Sequence, residues 1–65
     1  MTKTERANWL DNIYSSAEAV TKQASRETVL SVLKRYGAAS IDDLNPGDYP
    51  EVFSDLYAIE VDTRD

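Results

Sequence analysis

The chain contains neither cysteine nor histidine among its 65 residues. Without cysteine it has no disulfides, thiolate zinc sites or thiol nucleophiles, a composition that favours an intracellular protein. Without histidine it lacks the usual general base, the serine–histidine triad and the commonest metal ligand. We therefore expect a protein that is not an enzyme and that uses no metal or other cofactor.

Long apolar runs are also missing. No stretch approaches the about 20 apolar residues that cross a bilayer, and no signal-peptide core is present. We therefore expect a protein of the cytoplasm without membrane contact. Its length allows one small domain with a thin core, because a chain of about 60 residues hides only about 60% of its unfolded surface.

Apolar residues recur with helical periodicity from the beginning of the chain. Thr2 and Glu5 have the spacing of a capping box, which predicts a first helix from about Thr4 to Lys22. Its predicted apolar stripe consists of Trp9, Leu10, Ile13, Tyr14, Ala17 and Val20.

A second helix is predicted from about Arg26 to Tyr36. Ser25 is a favourable N-cap residue, and Gly37 is placed to end the helix in a left-handed conformation. Its predicted apolar face consists of Val29, Leu30, Val32, Leu33 and Tyr36.

The next segment predicts a short helical turn over residues 40–44, with Ser40 and Asp43 at capping spacing. Turn-forming residues follow at 45–48, and a third helix is predicted to start near Tyr49 with Asp48 and Glu51 as its capping pair. The predicted buried face of this helix consists of Tyr49, Val52, Phe53, Leu56 and Tyr57.

These segments predict an all-α fold, a compact three-helix domain with a short helical turn between the second and third helices. Residues 1–65 form a single helical domain in this interpretation. The helical pattern fades from Ile59, so a frayed tail is expected from about residue 60.

Charge is distributed unevenly along the chain, whose net charge is −5. Residues 1–36 contain six basic and four acidic side chains, for a net charge of +2. Residues 37–65 contain one basic and eight acidic side chains, for a net charge of −7. The acidic character therefore belongs almost entirely to the turn, the loop and the third helix.

An acidic region of this kind is a candidate docking surface for a larger protein with a basic surface, because charge steers association. A solvated face with helix-capping carboxylates explains the same pattern. Catalytic carboxylates need a cleft, for which a domain of this size has little room. The candidate partner-binding residues are Asp42, Asp48, Glu51, Asp55, Glu60, Tyr57 and Trp9.

Six aromatic residues are many for so small a domain. Such a domain cannot bury six large rings completely, so some must lie at its edge, where tryptophan and tyrosine often anchor protein interfaces. The candidate pairs for such an edge are Trp9 with Tyr14, and Tyr49 with Tyr57.

Two further patterns fail on inspection. Residues 43–47 begin like a calcium loop, but the glycine comes one position early and Ser54 replaces the bidentate glutamate. The second and third helices are similar to a helix-turn-helix, but the third carries Asp48, Glu51 and Asp55, which phosphate would repel. The sequence therefore argues against a metal site and against direct nucleic-acid binding.

Residues 25–57 contain a leucine-x-x-tyrosine-glycine motif ending at Gly37, a serine-x-x-aspartate-leucine motif ending at Leu44, and proline-x-x-tyrosine from Pro46. This pattern resembles the small helical modules appended to phage single-strand annealing proteins of the RecT and ERF types, and similar free-standing phage proteins. The resemblance implies a mobile-element origin and a protein-binding module. Small acidic phage proteins of this kind also resemble inhibitors of host machinery, including anti-CRISPR proteins.

The sequence thus predicts a non-enzymatic acidic interaction protein that binds and inhibits a larger host protein. In the most specific form of this hypothesis, the host protein is one that binds nucleic acid. An accessory subunit of phage recombination or replication is an alternative. A self-assembling structural subunit is another, since the pattern does not set the oligomeric state.

Overall fold

A computed structural model describes residues 1–62, which form three α-helices and two short 3-10 helices. Their bounds are α1 Lys3–Gln23, α2 Arg26–Arg35, η1 Ile41–Asp43, η2 Pro46–Asp48 and α3 Tyr49–Asp62. No strand occurs in this described part of the chain. The predicted all-α three-helix architecture is therefore confirmed.

Side-chain caps begin the first two helices where the sequence predicts them. The Thr2 hydroxyl accepts a hydrogen bond from the Glu5 backbone N–H at 3.1 Å, and the Glu5 carboxylate accepts one from the Thr2 N–H at 3.3 Å. The Ser25 hydroxyl accepts one from the Thr28 N–H at 3.2 Å. Both caps satisfy N–H groups that have no partner inside the helix.

Gly37 ends the second helix as predicted, with a φ of +72°. The Ala38 N–H donates to the Leu33 carbonyl at 3.1 Å, and the Gly37 N–H donates to the Lys34 carbonyl at 3.0 Å. This pair of hydrogen bonds is a Schellman motif. It turns the chain out of α2 and into the loop that leads to η1.

The predicted caps of the later elements are wrong. Ser40 makes no side-chain cap at η1, where Asp43 instead accepts a hydrogen bond from the Ala39 N–H at 3.1 Å. Asp48 cannot act as the N-cap of α3 because it is the last residue of η2, which continues directly into α3. Asp48 therefore lies inside a helical segment and not before one. Asn45 supplies the side-chain acceptor at the start of that continuous segment, bonding the Gly47 N–H at 3.0 Å.

The core lies between α1 and α3, which form the most extensive helix pair, while α2 packs mainly on α1. Ile41 and Leu44 bring the intervening loop into the same core. Tyr49 lies within it at 1% exposure. The buried apolar residues are Ile13, Ala17, Val20, Val29, Val32, Leu33, Ala38, Ile41, Leu44, Tyr49, Val52 and Leu56.

α3 is longer than predicted. It continues to Asp62 because half-buried Ile59 packs against the core and supports another turn. Residues 60–62, where the sequence predicts the start of a frayed tail, thus belong to α3, and the rest of that predicted tail, residues 63–65, lies outside the described residues.

Two tyrosines predicted on buried helix faces are exposed. Tyr14 is 45% and Tyr57 50% exposed, each one position after a fully buried residue, Ile13 or Leu56. One position is a rotation of about 100° around the helix, which carries the ring to the edge of the apolar stripe. No helix among residues 1–62 has the length and apolar character needed to cross a membrane.

Candidate functional site

The structure places the predicted partner-binding residues of α3 on two different surfaces. Residues three, four or seven apart share one face of a helix. Asp48, Glu51, Asp55 and Asp62 meet this spacing and form one edge of α3, which we call the acidic face. Phe53 and Tyr57 lie on the opposite edge, and half-buried Glu60, three residues after Tyr57, belongs to that second edge.

The acidic face borders the end of α2. Tyr36, the half-buried C-cap residue of α2, donates a hydrogen bond from its hydroxyl to the Asp55 carboxylate. This bond, burial and the negative charges of Asp55, Glu51 and Asp48 raise the pKa of Tyr36 to about 12. Tyr36 thus stays a neutral donor at physiological pH and holds Asp55 in place.

No cation compensates this acidic face within the described chain. Among residues 1–62 no ion pair involves Asp48, Glu51 or Asp55; the recorded pair joins Lys22 to Glu18 at 3.2 Å on α1. The carboxylates are not arranged as a chelating group either, because no three acidic side chains in this range could hold one metal ion. Exposed Glu51 and half-buried Asp48 therefore form no ion pair with any side chain of residues 1–62.

A second tyrosine holds the acidic residue of η1. The Tyr14 hydroxyl of α1 donates to Asp42 Oδ1 at 2.6 Å, joining residues 28 positions apart. This hydrogen bond, with a contribution from burial, raises the pKa of Tyr14 above its usual range. Exposed Asp42 is thus fixed beside α1 and apart from the helical stripe of the acidic face.

The aromatic row, defined here as Trp9, Phe53 and Tyr57, lies where α1 meets α3. The Trp9 and Phe53 rings meet edge-on with centroids 6.0 Å apart, and Phe53 stacks on Tyr57 with centroids 6.0 Å apart. Tyr49 is buried in the core, so its predicted edge pair with Tyr57 is wrong, whereas Tyr14 is exposed and Trp9 half-buried, as an edge position predicts. Tyr57 and half-buried Trp9 do reach the surface, joined through Phe53.

An open groove of about 460 Å³ between α1 and α2 was not predicted from the sequence. Its wall includes Leu30 of α2, which is half-buried and packs against the core. Small Ala17 lies across from it on α1 and leaves space above the floor. The one sequence signal for this groove is an apolar face of α2 that is wider than a thin core needs.

Compared with protein families, curated proteins and solved structures, the chain shows no match.

Proposed function

We propose that this protein is a non-enzymatic interaction protein of the cytoplasm that docks through its acidic face on a basic surface of a larger protein and blocks that surface. The observation that carries the proposal is a row of carboxylates that form no ion pair within residues 1–62 and of which Asp55 is held in place by Tyr36. The phage origin implied by the sequence resemblance would make the partner a host protein.

The charge arrangement costs the isolated protein stability. Glu51 and Asp55 are four residues apart on one helix, and like charges at this spacing destabilise a helix by about 0.2–0.5 kcal/mol. Asp62 at the C-terminal end of α3 also faces the negative end of the helix dipole. A basic partner would relieve both repulsions, so the arrangement favours the bound state over the free one.

The length of the acidic face fits an extended contact. Its residues run from Asp48 to Asp62, which corresponds to about 21 Å along a helix. That length exceeds the Debye length of about 8 Å at physiological ionic strength. A basic surface that normally binds the phosphates of a nucleic acid would present cations over a comparable length, and we propose such a surface as the target.

The variant that tests this proposal must spare the tyrosine hydrogen bonds. Asp42 and Asp55 are unsuitable because they accept bonds from Tyr14 and Tyr36. We choose the double reversal Glu51→Lys with Asp62→Lys, because neither side chain takes part in a hydrogen bond or ion pair of the described chain.

The matched control is Asp11→Lys with Glu27→Lys. It changes the net charge equally, and Glu27, like Glu51, lies in the first turn of a helix. Both double variants should keep the helical circular-dichroism signal.

The immobilised protein captures partners from a host extract, and the captured proteins are identified and purified. The Kd of each partner is then measured for the parent protein and for both variants, at several salt concentrations. We expect one partner whose affinity falls more than about tenfold with the acidic-face variant, equal to about 1.4 kcal/mol, but little with the control. Its affinity should fall with salt mainly through the association rate, and its activity should be inhibited by the parent protein.

Three results would contradict the proposal. Equal loss of affinity with both variants would show a general effect of net charge. Unchanged affinity would move the interface away from the acidic face. Sedimentation as a large homo-oligomer, with the acidic face between copies, would identify a self-assembling subunit instead.

A further inference from the structure

The groove between α1 and α2 is a second surface whose shape and charge indicate an occupant. Its volume of about 460 Å³ falls in the range of about 300–1,000 Å³ typical of binding pockets. The aliphatic residues that line it are Ala17, Val29, Leu30, Leu33, Ala39 and Ile41. Such a lining favours an apolar side chain over a polar one, because burial of apolar surface is the main source of binding energy.

The two ends of the groove differ in charge. Ala24 and Ser25 link α1 directly to α2, so Thr21 and Arg26 mark the linked end. The charged residues that line the groove are Glu18 and Arg26, and Glu18 is already paired with Lys22 at 3.2 Å. The linked end therefore keeps the Arg26 cation.

The other end is formed by Tyr14 and by Ile41 of η1. Asp42 and Asp43 follow Ile41 directly and are exposed. Tyr14 lines the groove, and its hydroxyl donates a hydrogen bond to Asp42 Oδ1 at 2.6 Å. This bond fixes the Asp42 carboxylate next to the groove wall. This open end thus presents an apolar floor beside a positioned negative charge.

We propose that this groove receives one large apolar side chain that the partner protein presents next to a lysine or arginine, with the cation facing Asp42. The inference rests on the proposed docking function and specifies the chemistry of the partner. A few fully buried anchor side chains, surrounded by contacts that exclude water, supply most of the affinity in protein interfaces. The anchor supplies affinity, and the positive charge beside it selects the orientation.

Three small molecules with the same alkyl chain test the groove without the partner: n-hexylammonium, n-hexanol and n-hexanoate. Each is titrated into the full ¹⁵N-labelled chain, and the backbone amide shifts of Ala17, Leu30 and Ile41 are followed. We expect saturable shifts at these amides, with n-hexylammonium binding about threefold more tightly than n-hexanol, as one exposed ion pair allows. n-Hexanoate should bind most weakly.

Two variants separate the charge from the cavity. Asp42→Asn removes the negative charge but keeps an oxygen that can accept the hydrogen bond from the Tyr14 hydroxyl. It should therefore abolish the preference for n-hexylammonium and leave n-hexanol binding unchanged. Asp62→Asn removes the same charge from α3 and should leave the preference intact. Leu30→Lys places a cation on the groove wall and should eliminate saturable binding of n-hexylammonium and n-hexanol.

The outcomes that overturn the inference are distinct. Absence of saturable shifts at the groove would show that it takes no apolar group. Preferential binding of n-hexanoate would assign the charged contact to Arg26 and reverse the proposed orientation. If Asp42→Asn and Asp62→Asn weaken the preference for n-hexylammonium equally, that preference results from the net charge of the protein and not from Asp42.

Failure of this inference can be distinguished from failure of the proposed function. The variant with both Glu51 and Asp62 reversed should still bind n-hexanol in the groove, although its affinity for the partner is lost. If the inference holds, Leu30→Lys should also weaken the identified partner. If Leu30→Lys keeps its affinity for the partner and the double reversal loses it, the acidic face is the interface. The proposed role of the groove is then refuted.

Discussion

Ser16 contains a polar atom that the fold leaves without a partner. Its side chain is 4% exposed, and its hydroxyl makes no hydrogen bond within the described residues. An unsatisfied buried polar group costs about 1–3 kcal/mol. The small side chain nevertheless fits the interior face of α1, which explains a serine at a position where apolar residues dominate.

We predict that Ser16→Ala stabilises the protein by about 1 kcal/mol, because it removes the unpaired hydroxyl and introduces the best helix former. Urea denaturation should show a higher midpoint with an unchanged slope. Ser15→Ala is the matched control: Ser15 is exposed on the same helix, so only the gain in helix propensity applies. Equal effects of the two substitutions would show that the buried hydroxyl costs nothing.

Tyr36 connects the end of α2 to the acidic face, and removing its hydroxyl tests that connection. Tyr36→Phe should reduce the free energy of unfolding by about 1 kcal/mol, since it removes one hydrogen bond to a carboxylate in a partly exposed setting. Tyr57→Phe should change it little, because Tyr57 is 50% exposed and, among residues 1–62, its ring stacks on Phe53 while its hydroxyl makes no hydrogen bond. Urea titration of both variants measures the difference.

The pH dependence of the same pair provides a second measurement. The pKa of Tyr36 is raised from 10.0 to about 12 in the folded protein, so folding favours the neutral hydroxyl. Its contribution is complete below about pH 10 and is lost as the pH rises through about 12. The stability difference between the parent and Tyr36→Phe should therefore shrink over this interval. A constant difference would exclude the hydroxyl as its source.

At the scale of the elements, Gly37 determines where α2 ends. Its φ of +72° is one that side-chain-bearing residues rarely adopt, and a β-carbon there would meet no atom within 4 Å. The cost of substitution is therefore a backbone cost alone. α2 ends at this residue because a left-handed conformation directs the Ala38 N–H back to Leu33.

Gly37→Val should destabilise the protein by about 1–2 kcal/mol, because a β-branched residue resists positive φ. Gly47→Ala is the control: Gly47 has no positive φ, and its β-carbon would lie 3.5 Å from Asn45 Oδ1, an ordinary contact. It should cost much less. An unchanged thermal midpoint for Gly37→Val would contradict the importance of this cap.

At the scale of the whole molecule, a thin core makes stability depend on few residues. Leu33 is 2% exposed and Leu30 half-buried on the same helix. Leu33→Ala should cost about 2–4 kcal/mol, which is comparable to the whole stability of a domain this small. We therefore expect it to lose most of its helical circular-dichroism signal, whereas Leu30→Ala keeps it. A cooperative melt of Leu33→Ala within a few degrees of the parent would refute this assignment of the core.

The arrangement of the three helices also gives each junction between them a different chemistry. The junction of α2 and α3 presents the acidic face, that of α1 and α3 the aromatic row, and that of α1 and α2 the apolar groove. A partner that contacts both the groove and the acidic face must therefore cross α2. A charge reversal on α3 and a groove substitution on α2 would therefore affect different parts of the proposed interface.

Local interactions determined much of this structure, and the sequence alone was sufficient to predict those that bound the first two helices, although not the caps of η1 and α3. The caps at Thr2 and Ser25 and the left-handed Gly37 each depend on hydrogen bonds that span five residues or fewer. The apolar stripes follow from helical periodicity, which is also local. Hence the predicted helices and most of the predicted core agree with the structure.

The features on which the proposed function rests depend on residues far apart in the chain. Tyr14 meets Asp42 across 28 positions and Tyr36 meets Asp55 across 19, and periodicity contains no information on such pairs. The separation of the acidic face from the aromatic row, the extra turn of α3 stabilised by Ile59, and the groove likewise required the packing of one helix on another. Tertiary packing determines these features because only contacts between elements choose which edge of each helix remains at the surface.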